Sequence, residues 1–323
     1  MRPVAPTYSQ AVSSPLLSRP GAVPADGVDL GVAWHYGDPL GEQRSLAAGT
    51  ATVDLSHRGV IELSGPDRGK LLDGLASQKL DDLVSGDIRE ALVLDPNGRV
   101  EHHFVVHEYD EVTRAHTEPG QAAVLASFFA SMRFMLEVEV RDVTAEWAVV
   151  AEPGYRLIPR AELGALGGPL AGTWAWEALR VAAGLPRLGL DTDDKTIPHE
   201  VGWIGAAVHL SKGCYRGQET VARVHNLGKP PRRLVLLHLD GSADSLPKTG
   251  DGIEYDGATV GFLGTVAQHY ELGPIALGLV KRSVPVDATL MVAGVPAAQE
   301  VLVDPDAGNQ AARAARDAFR VTR

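Results

Sequence analysis

The chain is poor in cysteine and lacks long apolar runs, and each shortage excludes a class of protein. Cys214 is the only cysteine among 323 residues, so no internal disulfide can form and a reducing compartment is favoured. No segment approaches the run of about eighteen apolar residues that spans a membrane. Glycine-rich nucleotide motifs are absent, and Leu55-Ser56-His57 lacks the G-x-S-x-G elbow of a hydrolase. The sequence predicts a cytoplasmic protein without a membrane partner.

Positive charge is also scarce, except in one stretch. The net charge of −11 argues against nucleic acid as a partner. Between Gly205 and Arg233, however, the chain has six cations and a single anion, Glu219, which gives a local net charge of plus five. Such a patch in an acidic chain suggests a small anionic ligand, and solvated loop charges are the alternative. The six cations are Lys212, Arg216, Arg223, Lys229, Arg232 and Arg233.

The order of apolar patterns and turn residues predicts an α+β fold. Residues 1–26 are proline-rich without apolar periodicity, so they are predicted to be a disordered tail. Residues 27–230 combine strands with helices at Gln121–Met132 and Trp174–Ala183, and Asp95-Pro96-Asn97-Gly98 marks a hairpin turn. The pattern lacks the regular strand-helix alternation of a parallel sheet.

The chain changes character after Pro230-Pro231. Six short strands spaced by Gly, Pro and Asp turns predict a small C-terminal β-barrel over 231–304. Residues 305–323 are predicted to be a tail or a loose helix at Gln310–Arg320.

Cys214 stands among residues that suit a reactive thiol. Lys212 and Arg216 flank it two positions away, and cationic neighbours favour the nucleophilic thiolate. If the stretch is extended, the three side chains share a face, while Gly213 and Gly217 let the backbone turn sharply. An inert buried cysteine is the alternative. One cysteine cannot complete the four-ligand set of an iron–sulfur cluster, which leaves only a shared or transient cluster open.

Three histidines follow the turn of the predicted hairpin. His103 and His107 share a strand face, and His102 points to the other side. Imidazoles can bind metal or transfer protons near neutral pH. Because one strand seldom gathers a closed ligand set, no metal site is predicted.

Several motifs resemble one protein family. The stretch from Lys212 to Glu219, followed by Ala222-Arg223, resembles the signature of YgfZ-type folate-binding proteins, which are relatives of the glycine cleavage T protein. The resemblance covers residues 53–233, and Thr259–Arg282 is similar to the family's C-terminal barrel. The other matching motifs are Val53 to Gly59, Leu63 to Asp67, Leu94 to Gly98 and Leu179 to Pro186.

The resemblance carries expectations about fold and ligand. It implies a three-domain T-protein-like fold of mostly antiparallel sheets with flanking helices, in which two intertwined subdomains bind tetrahydrofolate beside the C-terminal β-barrel. It also implies a monomer that works with iron–sulfur proteins or assembly factors. The resemblance suggests Cys214 and Lys212 as the working residues, and folate contacts from Arg223, Tyr215, Gln218, Glu219, His102, His103 and His107.

Departures from the transferase relatives help to choose between functions. Paired aspartates of those enzymes are replaced by His102 and His103, a tyrosine by His107, and a pterin-contacting acid by Ala182. Histidine cannot replace an anion that stabilises an iminium-like centre. The resemblance therefore favours an accessory protein for iron–sulfur cluster assembly or repair over an aminomethyltransferase. The alternative is a folate-dependent one-carbon enzyme that uses His102 or His103 in acid–base chemistry.

Overall fold

A computed structural model describes residues 13–152, 154–243 and 245–305. The chain forms two compact units, each assembled from separated stretches. Of the described residues, unit 1 contains those up to Leu72, with Asp81–Arg89 and Phe104–Leu179. Unit 2 contains Asp73–Leu80, Glu90–His103 and the described residues from Arg180 onward. The boundaries predicted at 230 and 304 stay a prediction.

Five α-helices occur in the described part of the chain. The helices α3 and α4 begin within one residue of their predicted starts. The helices α1 and α5 were not predicted, although α5 has Glu219 in its first turn and Arg223 in its last, as the helix dipole favours. The helices are α1 Pro39–Ala47, α2 Arg68–Leu75, α3 Ala122–Met132, α4 Thr173–Ala182 and α5 Gln218–Asn226.

Unit 1 contains a two-stranded sheet and a four-stranded sheet that has an apolar core. Strands β1 Val23–Pro24 and β2 Ala33–His35 pair with each other. A second sheet has the order β10-β9-β3-β11, and Val53 and Val149 lie in its core. Its strands are β3 Thr52–Asp54, β9 Trp147–Glu152, β10 Gly154–Pro159 and β11 Leu170–Ala171.

A five-stranded sheet contains the predicted hairpin. Its strands are β4 Gly59–Ser64, β5 Ile88–Leu94, β6 Val100–Glu108, β7 Val112–Thr117 and β8 Glu139–Asp142, in the order β5-β6-β7-β4-β8. The turn forms because Asp95 Oδ1 accepts hydrogen bonds from the backbone N–H groups of Asn97 and Arg99, both at 2.8 Å. Gly98 takes the positive φ of 77° that completes it. The hairpin is therefore confirmed.

Unit 2 contains a closed six-stranded barrel with the order β12-β15-β14-β13-β16-β17. Alternate residues such as Val235, Leu237 and Leu239 form its core. This confirms the predicted α+β class with a C-terminal barrel. The strands are β12 Arg232–Leu239, β13 Gly252–Tyr255, β14 Ala258–His269, β15 Gly273–Lys281, β16 Leu290–Val292 and β17 Val295–Val301.

The prediction of a disordered tail over residues 1–26 is wrong for residues 13–26. Pro15–Ser18 forms a short 3-10 helix, which begins where the Ser14 hydroxyl accepts a hydrogen bond from the Leu16 N–H at 3.1 Å. Leu16 is fully buried and packs with Leu163, so one apolar anchor orders a stretch that has no periodic pattern. Residues 1–12 and the predicted helix Gln310–Arg320 lie outside the described residues. None of the described helices has the length and apolar character needed to cross a membrane.

Candidate functional site

Cys214 lies exposed in the irregular segment that precedes α5. An inert core thiol is thereby excluded, since the sulfur is open to solvent. An exposed thiol can meet a reagent, a cluster or a partner protein without unfolding of the loop.

Lys212 anchors the loop two residues before the thiol. Its Nζ donates hydrogen bonds to the carbonyl oxygens of Ala76 at 2.8 Å, Gln78 at 2.9 Å, and Asp73. The same nitrogen lies 3.1 Å from Asp73 Oδ1, and the Lys212 side chain is only 1% exposed. The ammonium is thus committed to residues 73–78 of the same unit, and the geometry gives it a positioning role.

Further hydrogen bonds hold the start of the loop to the same residues. Gln78 Nε2 donates to the Ala206 carbonyl and Ser77 Oγ donates to the Ala207 carbonyl, each at 2.7 Å. The His209 N–H donates to the Ser77 carbonyl at 2.9 Å. The backbone that leads to Cys214 is therefore fixed before the Lys212 anchor.

Gly217 fixes the other end of the loop, where α5 begins. Its φ is +82°, a conformation that side-chain-bearing residues rarely adopt. A Cβ at this position would lie 2.6 Å from the Asp95 carbonyl oxygen and 3.0 Å from Gly98 Cα. The close approach to the hairpin turn therefore requires glycine. Gly213, in contrast, has open space around its Cα.

A cavity of about 310 Å³ lies along one face of α5. Tyr215 forms part of its wall, with its ring centre 5.5 Å from Lys212 Nζ, and burial raises the pKa of this phenol to about 12. Two predicted folate contacts, Tyr215 and Gln218, thus line the cavity, whereas Glu219 and Arg223 are exposed outside it. The lining residues are Leu210, Ser211, Tyr215, Gln218, Val221, Ala222, His225 and Asn226.

The six cations of the basic stretch do not form one patch, contrary to the expectation from their spacing. Lys212 is buried, Arg216 Nη1 pairs with Glu101 Oε2 at 2.7 Å, and Arg232 pairs with two carboxylates. Arg223 is exposed and forms no ion pair with a described residue. An anionic ligand would therefore depend on Arg223 more than on a broad positive surface.

His102 and His103 lie in the part of β6 that belongs to unit 2. The His103 ring stacks on Trp203, with ring centres 5.1 Å apart and an interplanar angle of 10°. Burial lowers the pKa of His102 below its ordinary value, so this imidazole is neutral near pH 7. The pair can donate and accept hydrogen bonds, but it supplies no negative charge.

His107 belongs to unit 1 and is paired with a histidine that the sequence did not point to. Its Nε2 lies 2.9 Å from His116 Nδ1, and the two side chains are 3% and 1% exposed. Burial lowers the pKa of His107 to about 4. Because β6 and β7 pair His107 with Arg114, His116 lies diagonally across the same face. Only the strand register reveals this partner. Across the described residues, no group of three or more His, Cys, Asp or Glu is placed to hold a metal.

Comparison with known proteins agrees with this architecture. Residues 18–154 match the family described as the GCVT N-terminal domain. Glycine cleavage system aminomethyltransferase T from Bartonella henselae has a similar structure, with a TM-score of 0.76, 17% identity, and coverage of 92% of this chain and 98% of that one. The predicted T-protein-like fold is confirmed.

Several curated relatives are similar to this chain, and one of them bears the YgfZ name. A mitochondrial iron–sulfur cluster assembly factor IBA57 homologue of Cryptococcus neoformans is 28% identical over 60% of this chain and 52% of its own length. The tRNA-modifying protein YgfZ of Yersinia enterocolitica is 37% identical over 25% and 24%. A protein of Arabidopsis thaliana, named provisionally as a chloroplastic transferase, is 25% identical over 72% and 66%.

The resemblance to YgfZ-type proteins is therefore confirmed, although the chain spans only about a quarter to two thirds of these relatives' lengths. Two of the relatives are named as organellar proteins, and the cytoplasmic location stays a prediction.

Proposed function

We propose that this protein is a tetrahydrofolate-binding accessory protein for iron–sulfur cluster assembly or repair, with Cys214 as its working thiol. The observation that carries the proposal is an exposed thiol on a loop fixed at one end by Lys212 and at the other by Gly217. The relative named as a cluster assembly factor supports the role, and the GCVT domain supports folate as the ligand.

The thiol would act together with another protein. A stable cluster generally takes four cysteine ligands, and Cys214 can supply one. An exposed position lets this single thiolate complete a coordination sphere shared with a partner, or trap a cluster in transit. Iron–sulfur proteins or their assembly factors are the partners that this chemistry requires.

Several of the side chains assigned to folate offer groups that suit its chemistry. The cavity beside α5 has the volume of small-molecule sites, which begin at about 300 Å³. Tyr215 and Gln218 offer uncharged hydrogen-bonding groups, and the exposed Arg223 offers a cation for folate's carboxylates. The neutral His102 suits an uncharged pterin ring, and the contacts of His103, His107 and Glu219 stay predictions.

Complementation tests the thiol role. In a strain that depends on this protein, we expect the wild-type chain to restore the activity of an iron–sulfur enzyme such as aconitase. Cys214→Ser should restore no more than an empty vector, while an enzyme without a cluster stays unchanged in every strain. Gly213→Ala is the matched control, because its Cβ meets nothing within 4 Å, and it should restore activity fully. Full restoration by Cys214→Ser would end the role assigned to the thiol.

A second candidate is a folate-dependent one-carbon enzyme, favoured by the fold shared with an aminomethyltransferase. Here His102 or His103 would be the acid–base group. Turnover of a methylamine donor with tetrahydrofolate, lost in His102→Gln or His103→Gln, would support this candidate. Tight folate binding without turnover of any such donor would count against it. The absence of the paired carboxylates makes the second outcome the expected one.

A further inference from the structure

Arg233 is a fully buried cation in the barrel of unit 2. It lies near the start of β12, on the same face of the strand as Val235, Leu237 and Leu239, which belong to the barrel core. Its exposed fraction is 0%, and it is the largest of the fully buried side chains. Arginine is almost never fully buried unless its charge is paired.

Among the described residues, only one nitrogen of this guanidinium has a partner. Nη2 donates to the Val284 carbonyl at 3.0 Å and to Gln299 Oε1 at 2.8 Å. Gln299 is held in that orientation because its Nε2 donates to the carbonyls of Pro285 and Ala288 at 2.9 and 2.8 Å. Nε and Nη1 are buried and have no hydrogen-bond partner in the described part of the chain. Three N–H bonds thus have no acceptor in the part of the chain that the structure describes.

The preceding residue, Arg232, has the carboxylate partners that Arg233 lacks among the described residues. Arg232 Nε lies 2.8 Å from Glu200 Oε1, and its Nη1 lies 2.7 Å from Asp193 Oδ2, so two carboxylates balance its charge. Arg233 forms no ion pair with any described residue. Both contacts of Arg233 are to neutral oxygens, which accept hydrogen bonds but do not neutralise a cation.

A buried arginine cannot relieve this imbalance by losing its proton. Burial lowers its pKa, yet a guanidinium stays protonated throughout the physiological range. An isolated buried charge is strongly unfavourable, and the usual remedy is a counter-ion with hydrogen bonds. We propose that Arg233 anchors an internal site for a small inorganic anion, of which chloride is the simplest, bound through Nε or Nη1. The full burial of the side chain favours a monatomic ion over phosphate or a folate carboxylate. This site is independent of the proposed function.

Anion exchange at constant ionic strength tests the site on the full-length protein. We expect the thermal unfolding midpoint of the wild type to rise when chloride or bromide replaces gluconate, by about 2 °C for each tenfold increase above the dissociation constant. Arg233→Met should show no such rise, and in gluconate it should unfold no earlier than wild type, because it removes an unpaired buried charge. Arg216→Met changes the charge equally at an exposed position and should keep the rise. Sulfate should not substitute for chloride.

Crystals soaked in bromide give a second measurement that does not depend on a variant that folds. The expected result is an anomalous peak within hydrogen-bonding distance of Arg233 Nε or Nη1. An ordered water there instead, or equal midpoints in chloride and gluconate, would overturn the proposal. So would an equal chloride effect in Arg233→Met.

Discussion

The signature from Lys212 to Glu219 contains two kinds of position, and they differ in what surrounds them. Lys212 and Gly217 are enclosed by the backbone of residues 73–78 and of the hairpin turn. Cys214 and Glu219 are exposed. Lys212 is a basic residue beside the thiol, yet its ammonium is bound to backbone carbonyls and to Asp73. The enclosed positions hold the loop, and the exposed ones are free to act.

Loss of the Lys212 anchor is expected to have the largest effect. Lys212→Met leaves the Asp73 carboxylate and several carbonyls without their cation, which should lower the free energy of unfolding by about 3–5 kcal/mol. Urea denaturation measures this. Lys70→Met removes a 74% exposed lysine that also pairs with an aspartate, and should leave the free energy of unfolding nearly unchanged. Equal small losses in both variants would show that Lys212 is not an anchor.

The glycines on either side of Cys214 should respond differently to the same substitution. Gly217→Ala places a Cβ 2.6 Å from the Asp95 carbonyl oxygen at a positive φ, so it should destabilise the protein by about 2–3 kcal/mol. Gly213→Ala meets no atom within 4 Å and should change stability by less than about 0.5 kcal/mol. The free energies of unfolding of the two variants, measured in urea, test this difference. Similar stabilities would contradict the difference drawn between the two ends of the loop.

Acid should destabilise the protein through one buried histidine in each unit. Burial lowers the pKa of His107 and His199 to about 4, whereas the unfolded chain titrates near 6.5. The unfolded state therefore binds more protons between these values, and stability is lost as pH falls below about 6.5. Each histidine should cost about 2 kcal/mol at pH 5 relative to pH 7.

Unfolding free energies at pH 5, 6 and 7 measure this loss. His107→Gln should have a weaker pH dependence than wild type, and the more exposed His238→Gln should not. An unfolding free energy that does not change with pH in the wild type would contradict the buried, neutral state of these rings.

The smallest expected effect concerns the exposed half of the signature. The Arg216–Glu101 pair is 37% and 38% exposed, so Arg216→Ala should cost less than about 0.5 kcal/mol. Thermal or urea unfolding measures it. A loss above about 1 kcal/mol would show that the exposed half also holds the fold.

Local patterns predicted much of this architecture. Asp95-Pro96-Asn97-Gly98 defined its hairpin because the turn makes its own hydrogen bonds. The spacing of the turn residues predicted the barrel, and the family motifs predicted the T-protein-like fold. The role of Lys212 was not predictable, since its partners are carbonyls 134 to 139 residues away. His116 was missed for the same reason, because strand register is a long-range property. The prediction of a cationic patch was wrong because sequence spacing does not show which charged side chains become buried or paired in the folded chain.

Calorimetric titration of tetrahydrofolate into the wild type, Cys214→Ser and Arg223→Ala tests the central claim most directly, that a folate-binding scaffold presents a separate working thiol. We predict that the wild type binds and that Cys214→Ser binds with nearly the same dissociation constant. Arg223→Ala should bind about tenfold more weakly, because it loses a cation for the folate carboxylates. No binding by the wild type would contradict the account, and loss of binding in Cys214→Ser would contradict the separation of thiol and ligand.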